Sequence, residues 1–485
     1  MASFPFDLRS IDRQALFYNW DMAEAVRKSR QSSPCKANHL VVLVHGLWGN
    51  ASHLNYVAQA LLERHGEDEL VLLSCRRNNG SLTYDGIDVG AERVAKEIED
   101  ILEELERDGF KITKFSVVGY SLGGLVARYA IGLLYHKGYF ERMIPVNFTT
   151  FVTPHLGVRT PLTGYQNHLW NVLGARTLST SGRQLFMIDQ FRNTGRPILS
   201  VLADPDSIFI HALAQFQHRS LYTNIVNDHS AVFYTTGISR TDPFANLDKV
   251  NLHYMKDYEP VILDPDHPCD LIPEHELPTF YQRFRYHSQT LPRRAPILFA
   301  LVILVPIATL AFLVNACVQT LLSRRRIHLH QSDHDGAGFG VYRIPYMVRE
   351  MRVGLEDAFE NVNSAQQQEY LPEGSEEMVG ASGSPPMSAI PHTSSESLLS
   401  EKPDTDRSKR EIVASERSPE FPTLALTTSQ FAMIKALDDV GFRKYPVYIH
   451  KSSHSHAAII VRAPKAAFEE GKLVVKHWLE NEFHI

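Results

Sequence analysis

Residues 114–138, KFSVVGYSLGGLVARYAIGLLYHKG, decide the predicted fold. The run begins as an apolar, β-branched stretch typical of a buried strand, and it continues after Ser121 with the composition of a helix. Between the two stands Gly119-Tyr120-Ser121-Leu122-Gly123, which matches the nucleophile-elbow pattern G-x-S-x-G. This tight turn needs small neighbours, because Gly119 and Gly123 must avoid clashes while the serine hydroxyl is lifted above the sheet. The pattern therefore predicts that Ser121 is a nucleophile.

The surrounding sequence repeats the alternation of strand and helix. HLVVLVHG (39–46) is typical of a central parallel strand, and residues 90–109 have apolar side chains on one helical face. Further apolar runs predict more strands: 147–155, 196–204, 219–228 and 231–238. Alternation of this kind predicts an α/β fold of the α/β-hydrolase type, with a mostly parallel central sheet flanked by helices.

Changes in composition divide the chain into four parts. Residues 1–290 are predicted to form the hydrolase core with the nucleophile and the acid, and 291–330 a membrane-inserting hydrophobic segment with basic flanks. Residues 331–420 are predicted to be a linker and a disordered insertion, rich in Ser, Glu, Pro and Gly over 363–420. Residues 421–485 are predicted to complete the core and supply the base. Within them 429–442 and the last residues have helical patterns, and 445–451 and 456–462 have strand patterns.

Charge and cysteine content exclude several kinds of site. The formal net charge is -6, so there is no overall basic excess with which to bind nucleic acid. The cysteines, Cys35, Cys75, Cys269 and Cys317, are far apart, which argues against a metal cluster and against a disulfide framework. We expect free thiols, no metal and no cofactor. The first residues lack the pattern of a secretory signal, so we expect the bulk of the chain on the cytosolic side.

A serine hydrolase also needs an oxyanion hole, built partly from the loop after an earlier strand. His45-Gly46-Leu47 follows the strand 39–44 directly, and Gly46 allows the backbone to approach closely. The backbone N–H groups of Leu47 and Leu122 are therefore the predicted oxyanion donors. His45 and Gly46 are predicted to form the supporting turn together with the glycines of the elbow.

The triad acid and base should follow the nucleophile in that order. Asp228 ends the run 219–228 and would project from the carboxyl edge of the sheet, with Asp204, Asp206 and Asp242 as competitors. His456 is the predicted base. The neighbouring His450 and His454 remain alternatives for that role.

With these residues in place, the chain resembles the eukaryotic putative serine esterase family of lipase type, and within it the fungal lipid-droplet phospholipase branch. Six segments carry the resemblance: HLVVLVHGLWGN (39–50), TYDGIDVGAERV (83–94), VVGYSLGGLVARYAIG (117–132), VTPHLGV (152–158), NDHSAVFYTTGISRTDPF (227–244) and HAAIIVR (456–462). It implies hydrolysis of lipid esters and supports Ser121 and Asp228, with His456 chosen among three neighbours.

The predicted function is therefore a lipase or phospholipase that works through a Ser-Asp-His triad and an acyl-enzyme at a lipid surface. A thioesterase or a transacylase with the same triad remains an alternative, as does an inactive membrane-anchored scaffold. The expected partners are a lipid substrate and the surface of a membrane or lipid droplet. The expected location is the cytosolic face of the endoplasmic reticulum, the lipid droplet or both. The sequence leaves the lipid headgroup, the acyl position and the oligomeric state open.

Residues 295–318 contain no charged side chain, and the run is as long as a membrane span. Arginines stand on both flanks, at 293–294 and at 324–326, and Pro306 divides the run into halves too short to span. A single crossing would separate Ser121 from His456, so the sequence predicts a hairpin or a shallow insertion that returns to the same side. If the base were His267 or His275, a single span would be permitted.

Overall fold

The computed structural model describes residues 37–66, 68–158, 179–228, 231–273, 314, 317–330, 370 and 421–485. Eight strands lie in these ranges: β1 His39–Val44, β2 Leu70–Ser74, β3 Lys114–Tyr120, β4 Ile144–Phe151, β5 His218–Asn224, β6 Val250–Leu252, β7 Cys269–Leu271 and β8 Arg443–Val447. Six of them form one sheet in the order β2-β1-β3-β4-β5-β8, and β6 pairs with β7 separately. Every pairing in the large sheet is parallel. The predicted parallel sheet of an α/β-hydrolase-like fold is confirmed.

The helices of the described ranges lie between these strands or follow the last of them. They are α1 Asn55–His65, α2 Ile87–Arg107, α3 Leu122–His136, α4 Ser179–Leu185, α5 Ile198–Leu202, α6 Ile208–Ala214, α7 Phe233–Thr236, α8 317–330, α9 Thr428–Val440, α10 Ser455–Ala458 and α11 Glu469–His477. Short 3₁₀ turns occur at Ala51–Leu54, Gly80–Tyr84, Tyr139–Glu141, Pro243–Ala245, Leu247–Lys249 and Ala466–Phe468, and a π turn, Trp478–Glu482, follows α11.

Alternating side chains of the strands build a core on each face of the sheet. In β1, Leu40 and Val42 pack with helices α2 and α3 on one face, whereas Val41 and Leu43 pack with α1 and α11 on the other. All four side chains are at most 1% exposed. A strand buried on both sides is continuously apolar, which explains why the run HLVVLV shows no polar alternation.

The last strand, β8, is fastened to the sheet by stacked aromatic rings. Phe151, Tyr222 and Tyr445 stand on neighbouring strands β4, β5 and β8, with 5.0 Å between successive ring centroids. The indole of Trp478 meets the Phe151 ring edge-on at 5.7 Å. Such ring pairs add to the free energy gained by burial alone. The C-terminal residues are thereby joined to strands formed more than two hundred residues earlier in the chain, as the pairing of Tyr222 with Tyr445 shows.

Three predicted strands are wrong. Residues 196–204 contain helix α5, residues 231–238 contain helix α7, and residues 456–462 contain the end of helix α10. Each is a short, buried, apolar run, and periodicity alone does not separate a buried strand from a buried helical turn.

The predicted membrane-inserting segment lies mostly outside the described residues, which include only Val314 and 317–330 of it. The predicted linker and insertion, 331–420, also lie outside them apart from Tyr370. In the ranges that the structure describes, no helix combines the length and the apolar character needed to cross a membrane. Helix α8 packs on the hydrolase core, and its Arg326, expected in the basic flank, is only 9% exposed.

The first residue of β1 makes the stability of the fold sensitive to acid. His39 is buried, and its Nε2 lies 2.7 Å from Ser116 Oγ. Burial, together with the nearby Lys114 and His65, lowers the pKa of His39 to about 4 from 6.5. Between these two pKa values the unfolded chain binds a proton that the folded chain does not, so stability is complete above pH 6.5 and falls as the pH drops.

We therefore expect the His39→Gln variant to lose less stability on acidification than the wild type. From pH 7 to pH 5 the difference should be about 2 kcal/mol, because the substituted side chain does not titrate. Urea unfolding followed by circular dichroism at both pH values measures it. Equal losses in the two proteins would show that His39 is not a buried neutral histidine.

Candidate active site

Ser121 occupies a strained turn between β3 and α3. Its φ of 55° and ψ of −130° lie outside the regions that side chains normally adopt. The turn is held by the backbone: Ser121 N donates to Phe151 O at 2.9 Å, and Gly124 N donates to Ser121 O at 3.1 Å. These hydrogen bonds keep the strained backbone of Ser121 in place, so its hydroxyl has a fixed position at the carboxyl edge of the sheet.

The loop after β1 touches this turn directly, and glycine makes the contact possible. A Cβ on Gly46 would stand 2.7 Å from Ser121 Cβ and 3.2 Å from its Oγ. A Cβ on Gly123 would collide with the carbonyl oxygens of Val44 and His45, and one on Gly119 with the backbone of Gly124. These glycines are thus required by close packing between the elbow and the loop that follows β1.

His456 bridges Ser121 and Asp228. Its Nε2 lies 2.9 Å from Ser121 Oγ, and its Nδ1 lies 3.0 and 2.9 Å from the two carboxylate oxygens of Asp228. An ionised carboxylate can only accept, so Nδ1 carries a proton and Nε2 is left to accept from the serine hydroxyl. Asp228 and His456 are 5% and 7% exposed, which limits competition from water. The structure thus brings the three residues selected from the sequence into one hydrogen-bonded line.

Asp228 is oriented by groups close to the end of β5. Asn224, the last residue of that strand, donates from Nδ2 to Asp228 Oδ2 at 3.0 Å. The backbone N–H of Ala231 donates to Oδ1 at 2.9 Å. The carboxylate therefore has a fixed plane against which the imidazole can align.

His456 is held by the loop of Asp228 and by the elbow itself. Ser455 Oγ donates to Val226 O at 2.9 Å and ties helix α10 to the acid loop. Tyr120 OH donates to His456 O at 3.1 Å, and the two rings lie 5.3 Å apart. Sequence analysis missed Tyr120, Ser455 and Asn224 as positioning residues. Their adjacency to Ser121, to His456 and to the end of a strand was the available signal.

The competing residues lie in other contacts. His450 stacks on Tyr448 at 3.7 Å and has its Nδ1 3.6 Å from Glu470, and His454 precedes helix α10 as its N-cap. Asp204 pairs with Arg196, and Asp242 caps the turn Pro243–Ala245. Asp206 and His267 are exposed, and His275 lies outside the described residues.

The predicted oxyanion donors lie on the two segments that meet at Ser121. Leu122 is the first residue of α3, where a backbone N–H has no acceptor within the helix. Leu47 follows Gly46, in the loop that contacts Ser121. His45 braces this loop: its Nδ1 lies 3.0 Å from Gly46 O and its Nε2 lies 2.9 Å from Asn79 Oδ1. An anion formed at Ser121 would therefore meet a loop and a helix N-terminus whose backbone positions are already fixed.

The histidine of the VTPH motif lies between strand β4 and helix α3. His155 Nε2 is 3.1 Å from Thr150 Oγ1, and its Nδ1 is 3.5 Å from Arg128 of helix α3. Burial holds the pKa of His155 well below its usual value, and the nearby Arg128 lowers it further. Burial also lowers the pKa of Arg128 to about 9. These buried groups join strand β4 to helix α3, and the hydrogen bonds of His155 are to Thr150 and Arg128 rather than to the triad.

Comparison with known proteins shows a similarity to putative serine esterases and lipases. The family described as Putative serine esterase (DUF676) matches residues 34–241. Putative lipase ROG1 of Saccharomyces cerevisiae is 30% identical over 248 residues, 49% of this chain and 34% of that protein. Putative lipase C4A8.10 of Schizosaccharomyces pombe is 30% identical over 209 residues, 42% of this chain and 26% of its own length. The chain thus spans about a third or less of these relatives. The resemblance to putative serine esterases is confirmed.

Solved structures resemble parts of the chain more distantly. Phospholipase PlaB from Legionella pneumophila in complex with thio-NAD is 14% identical, with a TM-score of 0.25, covering 38% of this chain and 37% of its own. Carboxyl esterase 2 from Tuber melanosporum is 13% identical, with a TM-score of 0.25, covering 40% of this chain and 60% of its own. The strand order and the elbow, rather than these similarities, define the fold.

Alanine substitution of the three neighbouring histidines should distinguish their roles. We expect His456→Ala to lower turnover of a soluble ester as severely as loss of the serine, since no other side chain bridges Ser121 and Asp228 among the contacts described above. His450→Ala and His454→Ala should stay within about threefold of wild type, because His456 is the histidine that bridges Ser121 and Asp228. Steady-state kinetics measure all three, and a severe loss at His454 with normal turnover at His456 would reassign the base.

Proposed function

Because residues 34–241 match the family described as Putative serine esterase, we propose that the chain hydrolyses carboxylic esters of lipids through Ser121, His456 and Asp228. The observation that carries the proposal is the bridge at His456, whose two ring nitrogens lie within 3.0 Å of Ser121 Oγ and the Asp228 carboxylate. That arrangement is the one in which a histidine can activate a serine and be stabilised when it becomes charged.

In the acylation step, Ser121 Oγ attacks the carbonyl carbon of the ester while His456 Nε2 takes the hydroxyl proton. The oxyanion that forms is stabilised by the N–H groups of Leu47 and Leu122, and the Asp228 carboxylate stabilises the imidazolium. The C–O bond to the leaving alcohol then breaks, and His456 returns the proton to that oxygen. An acyl group remains on Ser121, and a free alcohol departs.

In the deacylation step, water replaces the alcohol. His456 removes a proton from the water as its oxygen attacks the acyl carbon, and the same two N–H groups hold the second oxyanion. The bond to Ser121 Oγ breaks, and the proton passes from His456 to the serine. The products are a carboxylic acid and the regenerated hydroxyl, so the cycle uses only the ester and water.

Two observations support a lipid as the substrate. The matched relatives carry names of lipases, and the chain contains an uncharged run at 295–318. The lipid-ester substrate, phospholipid included, is therefore our proposal for this chain. The proposed site of action is the cytosolic surface of a membrane or lipid droplet, where esters of lipids are present.

A thioesterase or a transacylase would form the same acyl-enzyme. A thioesterase differs from an ester hydrolase in the leaving group, which is a thiol, and a transacylase differs in the acyl acceptor, which is an alcohol instead of water. Purified protein incubated with phospholipid, triacylglycerol and acyl-CoA, followed by mass spectrometry of the products, distinguishes these activities. We expect free fatty acid and a lysolipid or partial glyceride. Transfer of the acyl group to an added lipid alcohol, without release of fatty acid, would instead identify a transacylase.

Replacement of the nucleophile tests the proposal most directly. We expect Ser121→Ala to lower turnover by roughly 10⁴-fold or more, since triad residues act as a unit. The fold should be retained, because the substitution removes only an oxygen. Activity and labelling by a fluorophosphonate measure the loss, and circular dichroism checks the fold. Near wild-type turnover in this variant would rule out Ser121 as the nucleophile, and a wild type inert to both ester and label would indicate a scaffold.

A further inference from the structure

Helix α8 turns three polar side chains towards the protein and exposes apolar side chains in its first half, next to the exposed Arg324, Arg325 and His328. Gln319, Ser323 and Arg326 are 7%, 0% and 9% exposed, and their spacing of four and three residues places them on one face. Val318 and Leu321, on the opposite face, are 47% and 61% exposed. Helices on the surface of soluble proteins have the reverse arrangement. The polar inner face therefore needs a specific docking site, and the apolar outer face needs an apolar surrounding.

The docking site is the carboxylate of Asp85, which is completely buried. Arg326 binds it through Nε at 3.1 and 3.0 Å and through Nη2 at 2.7 Å, and Nη2 also donates to Ser81 O at 3.0 Å. Arg93 of helix α2 binds the same carboxylate at 2.7 Å. Ser323 Oγ donates to Tyr84 O, a contact of 3.4 Å. A planar guanidinium with several bonds to one carboxylate fixes orientation as well as distance, so α8 is held in a defined place.

That place is connected to the loop beside the nucleophile. The turn Gly80–Tyr84 precedes Asp85 and is bonded to the loop after β1: Gly80 N donates to Gly49 O at 2.8 Å, and Trp48 N donates to Thr83 Oγ1 at 3.0 Å. The rings of Trp48 and Tyr84 lie 6.3 Å apart. The same loop contains Gly46, which touches Ser121. Arg326 thus links α8 to the oxyanion side of the active site through one hydrogen-bonded turn.

We propose that the outer face of α8, formed by Val318 and Leu321, is a lipid-contact surface, and that Arg326 is the positioning residue that fixes this surface relative to the active site. This inference rests on the proposed lipid-ester function. It assigns the side of the molecule that contacts the lipid. It also predicts that the lipid substrate approaches Ser121 from the side of the loop after β1.

Three features favour lipid as the occupant of this face. The exposed Val314 and the uncharged sequence 295–313 directly precede the helix, so the apolar character continues along the chain. Arg325 is exposed and follows Leu321 by four residues, where a guanidinium could reach lipid headgroups. Two or three apolar side chains are far fewer than a stable contact between two protein chains requires.

Lipid contact can be measured at a native thiol. Cys317 is exposed, whereas Cys75 and Cys269 are buried. Full-length protein with Cys35→Ser would carry an environment-sensitive fluorophore at Cys317 and be added to vesicles of three parts phosphatidylcholine to one part phosphatidylserine, with and without nitroxide-labelled lipid. We expect strong quenching at Cys317. As the control, protein with Cys317→Ser and Ile188→Cys carries the label just after helix α4, at a position that is 44% exposed. We expect no quenching of that label. Absence of quenching at Cys317, or a vesicle-independent dimer that buries the label, would overturn the lipid assignment.

The positioning role is tested by Arg326→Ala, with Arg324→Ala as the matched control. Arg324 is the same residue type on the same helix but is exposed. The readout is the rate on vesicle phospholipid divided by the rate on a soluble short-chain ester. We expect this ratio to fall about tenfold in Arg326→Ala, because misplacement of a substrate by about 1 Å can cost even more, and to stay within about twofold in Arg324→Ala. Arg93 still pairs with Asp85 in the variant, which favours folding.

A second variant keeps the test informative if Arg326→Ala folds poorly. Val318→Ser with Leu321→Ser changes only exposed positions, and it should lower both the ratio and the quenching at Cys317. An unchanged ratio in both variants would overturn the inference. If wild-type protein cleaved neither substrate while Cys317 was still quenched, the proposed function would fail and the lipid contact would stand.

Discussion

The parallel pairing of β5 with β8 is the constraint on which the active site depends. Asp228 lies just beyond the end of β5, and His456 follows β8 after a short loop, so the register from Ser220 opposite Arg443 to Asn224 opposite Val447 sets the distance between acid and base. A slip of one residue would move each strand residue to the other face. The ring stack of Phe151, Tyr222 and Tyr445 resists that slip, since these side chains fit together only on one face. Packing of side chains on strands next to Ser121 thereby holds the geometry of the triad.

The elbow and its surroundings could be predicted from sequence because their signals are local. A β-branched run, a G-x-S-x-G turn and a helix follow one another without interruption, and close packing leaves glycine as the residue that fits at 46 and 123. Asp228 and His456 were selected by chain order, and the structure places both beside Ser121. The runs 196–204, 231–238 and 456–462 were assigned to strands because valine, isoleucine, tyrosine and threonine favour sheets. Tertiary contacts decide otherwise. Pro197 precedes a helix start, Thr235 donates to Gly157 O, and Ala458 lies so close to Gly471 that no Cβ fits there.

Arg326 shows what sequence reasoning could not reach. As one of three successive arginines it was expected to act as a basic flank, and only the fold shows that the buried partner is Asp85, which is distant in sequence. The contacts of His456 with Ser121 and Asp228 also constrain the membrane topology. All three residues must lie on the same side of any membrane. A hairpin or shallow insertion for the uncharged run satisfies this condition and stays a prediction.

The distance along the chain between acid and base has a consequence for biosynthesis. Asp228 and His456 are 228 residues apart, and the strand that carries the base to its place pairs at the edge of the sheet. A ribosome that makes roughly 5–20 residues per second will have exposed the nucleophile and the acid for some ten seconds or more before the base is even translated. Until His456 has been translated, the nascent chain therefore lacks the base that the proposed mechanism requires. Under that mechanism, the proposed hydrolysis begins only after β8 has docked beside β5, so this late folding step would complete the site.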